Sequence, residues 1–202
     1  MSLSLSGRKQ IKGSKFFNYL GRLKWITRWG LMRSSDRENV MEHSWEVAVI
    51  AHALAIIKNQ YFDGEADANA IATAALYHDV SEVLTGDLPT PIKYHSKSIT
   101  EAYQRIEAEA EDELISLLPE ELRGVYVLCF KANKQPQENR EIIKAADTIS
   151  AHIKCLAEIE SGNNEFSEAA QFTLKRIVAF NLPEVDYFMD HFMVNRAMTM
   201  GL

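Results

Sequence analysis

His78 and Asp79 are adjacent, and Glu82 follows the histidine by four residues. A neutral imidazole beside a carboxylate is a mixed nitrogen and oxygen donor set, suited to Mn²⁺, Co²⁺, Fe²⁺ or Zn²⁺. On a helix, consecutive side chains point about 100° apart, so both reach one ion only if it sits off the helix between them. Glu82 then shares the His78 face. A lone pair of this kind is more often an ordinary hydrogen-bonded or solvated pair. Two further groups add to it. His43 follows Glu42 at the expected start of another helix. Asp147 lies mid-helix in Lys144-Ala145-Ala146-Asp147. Aspartate is a poor helix former, so something other than propensity holds it there. The plain explanation for Asp147 is an ion pair with Lys144.

Composition narrows the setting. The chain has 202 residues, 47% hydrophobic and 25% charged, which fits one globular domain and excludes disordered or fibrous classes. The net charge of −6 is unevenly spread: residues 1–35 hold eight Lys or Arg and no acid, so the rest carries −14. That argues against coating a nucleic acid polymer. It permits a local anion site around Arg22 to Arg33, although solvated charges explain the pattern equally simply. Two distant cysteines and no Cys-x-x-Cys pair predict a reducing, cytoplasmic setting. The first fifteen residues are basic without an apolar run, which is not a secretory signal. The longest apolar run, Val47 to Ile57, is eleven residues with His52 inside. A bilayer needs about 20, so no membrane partner is expected. No P-loop, dinucleotide or nucleophile-elbow pattern occurs.

The elements that must position these residues read as helices throughout, since apolar spacing of three and four dominates. Ser14 is expected to cap a first helix that puts Phe16, Leu20 and Leu23 on one face. Asn39 with Glu42 forms a capping-box pattern opening a helix to about Lys58. An alanine-rich helix is expected from Asp67 to Leu84. Thr85 to Pro91, with a glycine and two prolines, reads as a stiffened loop. Ser98 with Glu101 predicts a long helix to Leu118, and Pro119 the start of another. Further helices are expected over Gln137 to Glu160, Ser167 to Phe180 and Pro183 to Val194. The aromatic and Met stripe from Tyr187 to Met193 reads as core, or as a dimer seam. His52 is expected to be a hydrogen-bonded core residue, and His95, His152 and His191 surface or packing residues. The whole is one all-α domain over residues 15–202, behind a flexible tail at 1–14.

The order His43, His78-Asp79, Asp147 resembles the four-part signature of the HD-domain phosphohydrolases, all-helical proteins that bind a divalent metal through those residues. The surrounding text is more specific. Arg28-Trp29, Glu38-Asn39-Val40 with Glu42-His43-Ser44, and Tyr77-His78-Asp79 continuing through Glu82 to Asp87-Leu88-Pro89-Thr90-Pro91 are similar to the bacterial 5'-deoxynucleotidase family. So is Gly162-Asn163-Asn164-Glu165-Phe166. The resemblance runs from about Phe16 to near the C-terminus.

That resemblance implies a single HD-domain helical bundle that removes phosphate from deoxyribonucleoside 5'-monophosphates. His43, His78, Asp79 and Asp147 then ligate the metal, with His43, Asp79 and Asp147 also facing substrate. Glu82 handles the proton, and Arg28 orients the phosphate with Trp29 beside it. Asp87, Leu88, Pro89 and Thr90 line the sugar and base end. Co²⁺ or Mn²⁺ is the expected ion. One metal is expected, because binuclear relatives use extra histidines and only His95 lies between Asp79 and Asp147. A homodimer is implied as well. The roles agree with elementary chemistry: a divalent ion acidifies water and polarises a phosphoryl oxygen, a carboxyl relays protons, and an arginine fork matches phosphate. Two other readings stay open. One is an HD phosphohydrolase acting on another nucleotide such as a triphosphate, which needs more converging cations than are visible outside residues 22–33. The other is a non-catalytic nucleotide-binding HD module, against which Glu82 and Arg28 argue.

Overall fold

The structure is a computed structural model that describes residues 13–193. Most of the expected tail, and the end of the expected last helix at Val194, lie outside the described residues. Among the described residues every regular element is helical apart from an isolated antiparallel bridge between Thr27 and Asn39. The expectation of an all-α fold therefore holds.

The first helix, α1 (Phe16–Leu20), is one turn that passes into a 3₁₀ turn over Gly21–Trp25. Phe16 and Leu23 are buried as expected. The Ser14 hydroxyl accepts from the Phe16 amide at 3.1 Å and donates to the Leu117 carbonyl at 2.6 Å, so it ties the chain to a later element. The central helix is α2 (Val40–Tyr61). Its capping box is fully formed: Asn39 accepts from the Glu42 amide at 3.0 Å, and Glu42 accepts from the Asn39 amide at 3.3 Å. At 22 residues, α2 is long and apolar enough to cross a membrane, a length the apolar run alone did not reveal. It is the core helix, with more than half of its most apolar window buried. It packs against α3 (Ala68–Leu76), α8 (Gln137–Glu160) and α10 (Pro183–Phe192).

One expected element is broken. The helix predicted over Asp67 to Leu84 stops at Leu76, and a series of tight turns leads to α4 (Glu82–Thr85). Within the turns the amides of His78, Val80, Glu82 and Val83 bond back three residues rather than four. The reason is packing. Ile71 and Ala75 belong to the apolar core around α2, whereas Val80 and Val83 belong to a second core with Phe16, Leu114 and Phe130. The chain must leave one core and enter the other between them. His78 and Asp79 sit on that crossing, not on a helix.

The proline segment also departs from expectation. Thr90–Lys93 forms one helical turn, α5, with Pro91 inside its first turn. Proline is tolerated there because that amide has no partner to lose. The long helix α6 (Lys97–Ser116) is capped by Ser96, not Ser98. Then follow α7 (Glu120–Phe130), α8 over the predicted span, and α9 (Ser167–Ala179). Phe188 and Val185 on α10 enter the main core, with Tyr187, Met189 and Met193 packed on it, while Phe192 is exposed. His52 is half-buried, not a core residue, because it sits at the edge of the buried α2 face.

Candidate active site

The crossing between the two cores brings His78 and Asp79 to the N-terminal turn of α2. Ligand atoms of His43, His78 and Asp79 all lie within 4.8 Å of one another. His43 is fully buried, and its Nε2 stands 3.6 Å from Asp79 Oδ2 and 3.2 Å from Asp147 Oδ1. His78 Nε2 stands 3.1 Å from Asp79 Oδ2. Both Nε2 atoms are buried without a hydrogen-bond partner. Two orphaned imidazole nitrogens facing carboxylate oxygens fit a divalent cation, which would satisfy both kinds of donor at once. Asp147 adjoins this group through His43. Its other oxygen is 2.7 Å from Lys144 Nζ, the plain ion pair expected for it.

Charges here bias one another. Burial raises the cost of ionising Asp79 and Asp147. For Asp79 the neighbouring His78 imidazole and the Arg28 cation overcome it, and for Asp147 the Lys144 cation and the His43 imidazole do, so both carboxyls are held well below the usual range. Glu82 goes the other way. It is buried, its Oε2 has no partner, and desolvation together with Asp79 and Asp87 pushes it up to about 9. It keeps its proton at neutral pH.

Arg28 and Trp29 reach the site on a reversed segment. The Arg28 amide bonds the Glu38 carbonyl at 3.0 Å and the Val40 amide bonds the Ile26 carbonyl at 3.0 Å, which closes the segment into a clasp. Trp29 adopts φ of +61°, a left-handed backbone unusual for a bulky residue. Glu38 compensates by accepting its indole N–H at 2.8 Å. The Trp29 ring lies against Phe166. Arg28 Nη1 reaches Asp79 Oδ2 at 3.2 Å. Burial works against the Arg28 charge, but Asp79, Asp147 and Glu38 outweigh it and raise its pKa. The Gly162 to Phe166 motif explains itself here: Asn163 donates to the Arg33 carbonyl at 2.7 Å, and Glu165 accepts from the Arg33 amide at 3.3 Å. Glu158 accepts from the amides of Ser35 and Asp36 at 2.7 and 3.2 Å.

A cavity of about 740 Å³ opens over this floor. Arg28, Trp29, Asp79, Glu82, Asp147 and the predicted run Asp87, Leu88, Pro89 and Thr90 all line it. His43 and His78 do not. They lie behind the wall, where His43 is fully buried. Lys93, Lys144 and Arg176 are on the wall too. The site therefore holds more cations than the sequence reading counted, although Lys93 and Lys144 are each matched by a carboxylate, Glu107 and Asp147. Glu38 was legible only as a letter of the motif. Phe172 and Arg176 lie four apart on α9, a face without any distinguishing pattern in the sequence. His95 and His191 are exposed, and buried His152 meets Thr173 at 2.9 Å.

An all-helical fold with this His, His-Asp, Asp cluster beneath a cavity is that of the HD-domain phosphohydrolases. An HD-domain phosphohydrolase from Listeria innocua superposes with a TM-score of 0.79, at 26% identity over 89% of this chain and 86% of that one. Residues 15–196 match the family described as 5'-deoxynucleotidase YfbR-like, and the chain belongs to that family. Curated relatives called 5'-deoxynucleotidase include one from Vibrio atlanticus, 47% identical over 90% of this chain and 94% of its own length. Another, from Yersinia pestis, is 49% identical over 87% and 89%. The cyanophage S-2L HD phosphohydrolase, bound to dA and one catalytic Zn²⁺, shares the fold with a TM-score of 0.60 at 22% identity, covering 90% of this chain and 96% of that one.

Proposed function

We propose that this chain hydrolyses deoxyribonucleoside 5'-monophosphates to deoxynucleoside and phosphate, using one divalent ion held by His43, His78, Asp79 and Asp147. The observation that carries the reading is the pair of orphaned Nε2 atoms aimed at two carboxylates directly behind the cavity wall. When bound, such an ion supplies Lewis acidity toward a phosphoryl oxygen and acidifies water near neutral pH. Co²⁺ and Mn²⁺ are the ions we favour, on the mixed donor set.

The chain's own residues do the rest. Arg28, held by Glu38 and Asp79, presents its planar cation to the phosphate oxygens. Trp29 walls the nucleotide. Water adds to phosphorus as the bond to O5' breaks. Glu82 gives its proton to O5' and recovers one from the attacking water. Asp87 and the turn from Pro89 border the sugar. Two free thiols, Cys129 and Cys155, support a cytoplasmic setting. Exposed Leu122, Val125 and Leu128 on α7 support a homodimer, which light scattering would test.

The direct experiment is phosphate release from matched deoxy and ribo mono-, di- and triphosphates, with Co²⁺ or Mn²⁺. Deoxy monophosphates should turn over, chelation should abolish release, and added metal should restore it. Preferred release from triphosphates would favour the other nucleotide reading. Full activity in protein shown by elemental analysis to lack metal would overturn the mechanism.

A further inference from the structure

The first turns of α2 and the middle of α8 meet behind His43. There the Ser150 hydroxyl donates to Glu46 Oε2 at 2.6 Å, and Ser150 Oγ stands 3.0 Å from His43 Nδ1. Ser150 and His43 are both fully buried. A hydroxyl has one hydrogen to give, and a carboxylate only accepts. With that hydrogen committed to Glu46, the Ser150 oxygen turns lone pairs toward Nδ1. The imidazole must donate there. A neutral ring protonated at Nδ1 carries its lone pair at Nε2, the atom that faces Asp79 and Asp147 without a hydrogen-bond partner.

We propose that Glu46 and Ser150 are positioning residues that fix His43 in its Nδ1–H tautomer and aim Nε2 at the metal site. The inference rests on reading His43 as a ligand. Its partner His78 obtains the same service from the backbone, since its Nδ1 lies 2.7 Å from the Ala75 carbonyl, an acceptor that no substitution removes. His43 is the ligand whose tautomer depends on replaceable side chains. They are far apart in the chain: Glu46 lies one helical turn from His43, whereas Ser150 is 107 residues away. Histidine ligands commonly give their second N–H to such a partner, and its loss typically costs 10–100-fold in metal affinity.

The test is calorimetric titration of Co²⁺ into metal-free full-length protein. Ser150→Ala and Glu46→Ala should each weaken binding by about 10–100-fold. Glu46→Gln should stay near wild type, because its amide oxygen still accepts the Ser150 hydrogen. In Zn²⁺-loaded protein with ¹⁵N-labelled histidine, the His43 Nδ1–H resonance should exchange slowly in wild type and be lost by exchange in Ser150→Ala. Should Ser150→Ala fail to fold by circular dichroism, Glu46→Ala on the half-exposed glutamate decides the matter. Wild-type Co²⁺ affinity in a folded Ala variant, alongside loss in His43→Ala, would overturn the relay and leave the ligand reading standing. Equal loss in Glu46→Gln and Glu46→Ala would also overturn it. Wild-type affinity in His43→Ala would remove the ligand reading, and the relay with it.

Discussion

Glu38 holds Arg28 from behind, with Arg28 Nε donating to Glu38 Oε2 at 3.2 Å. The same oxygen takes the Trp29 indole N–H. One carboxylate thus sets the direction of the cation and of the aromatic wall, and it does so from the far strand of the clasp that closes at the Thr27 and Asn39 bridge.

Arg28→Ala should impair turnover strongly, and Arg28→Lys should restore it only in part, because a point charge lacks the fork. Glu38→Ala leaves Arg28 in place but held by Asp79 alone. Its kcat/KM should fall on the order of 10²-fold, the scale of a small misplacement at a reacting group. Steady-state kinetics check all three. Equal rates for Arg28→Lys and wild type would mean that charge alone matters there.

Glu82→Gln separates proton transfer from metal binding. Burial beside Asp79 and Asp87 keeps this carboxyl protonated at neutral pH. In its proposed role as an acid it works below its pKa, so the alkaline fall of kcat should be missing in the variant. Turnover should drop by about 10²–10⁴, with Co²⁺ binding retained. Loss of Co²⁺ binding in calorimetry would make Glu82 a ligand instead.

Asp87→Ala addresses sugar selection. A pocket that merely fails to bond an added hydroxyl rejects it by only about 10². Stronger selection needs a rigid wall or a polar group left without its partner. Asp87 stands at the cavity edge ahead of the Pro89 turn, with Trp29 also on the wall. The variant should lose deoxynucleotide turnover and narrow the ratio of kcat/KM between a matched deoxy and ribo pair. An unchanged ratio would place the selectivity elsewhere.

Glu158 predicts acid sensitivity. Burial pushes its carboxyl up, but Lys154, the Ser35 amide, Asn163 and the Asp36 amide outweigh burial and hold it below the usual range. A depressed folded pKa means the stabilisation is complete above the unfolded value, about 4.3, and is lost as pH falls through the folded one. Thermal melts should show wild type losing stability below about pH 4.3, with a shallower slope in Glu158→Gln. Glu158→Ala strands Lys154 and should cost about 3–5 kcal/mol at neutral pH.

Legibility followed the range of the interactions. The Asn39 capping box and the span of α8 were readable because each rests on residues within a turn of one another. The break after Leu76 was not, since the alanine-rich run has uniform helix propensity and only the division between two cores ends it. Ser98 with Glu101 offered a local cap, yet Ser96 is the one used; Thr100, which bonds the Lys93 and Ser96 carbonyls, sides with the earlier serine. The candidate ligands were legible through the resemblance. Glu38 as a brace and Ser150 behind His43 were not, because their partners come from other elements.

The anchoring of the Arg28 segment by Glu158 spans 123 residues of chain. During synthesis from the N-terminus, the loop at Ser35 and Asp36 is made long before α8 exists. A chain stopped short of α8 also lacks Asp147 and Glu158, so it has neither the full set of proposed ligands nor the anchor for those two amides. Contacts of such separation are expensive to close and slow to form. Catalytic competence is therefore a late event in the life of each molecule, and a product truncated before α8 carries His43, His78 and Asp79 without a working phosphatase.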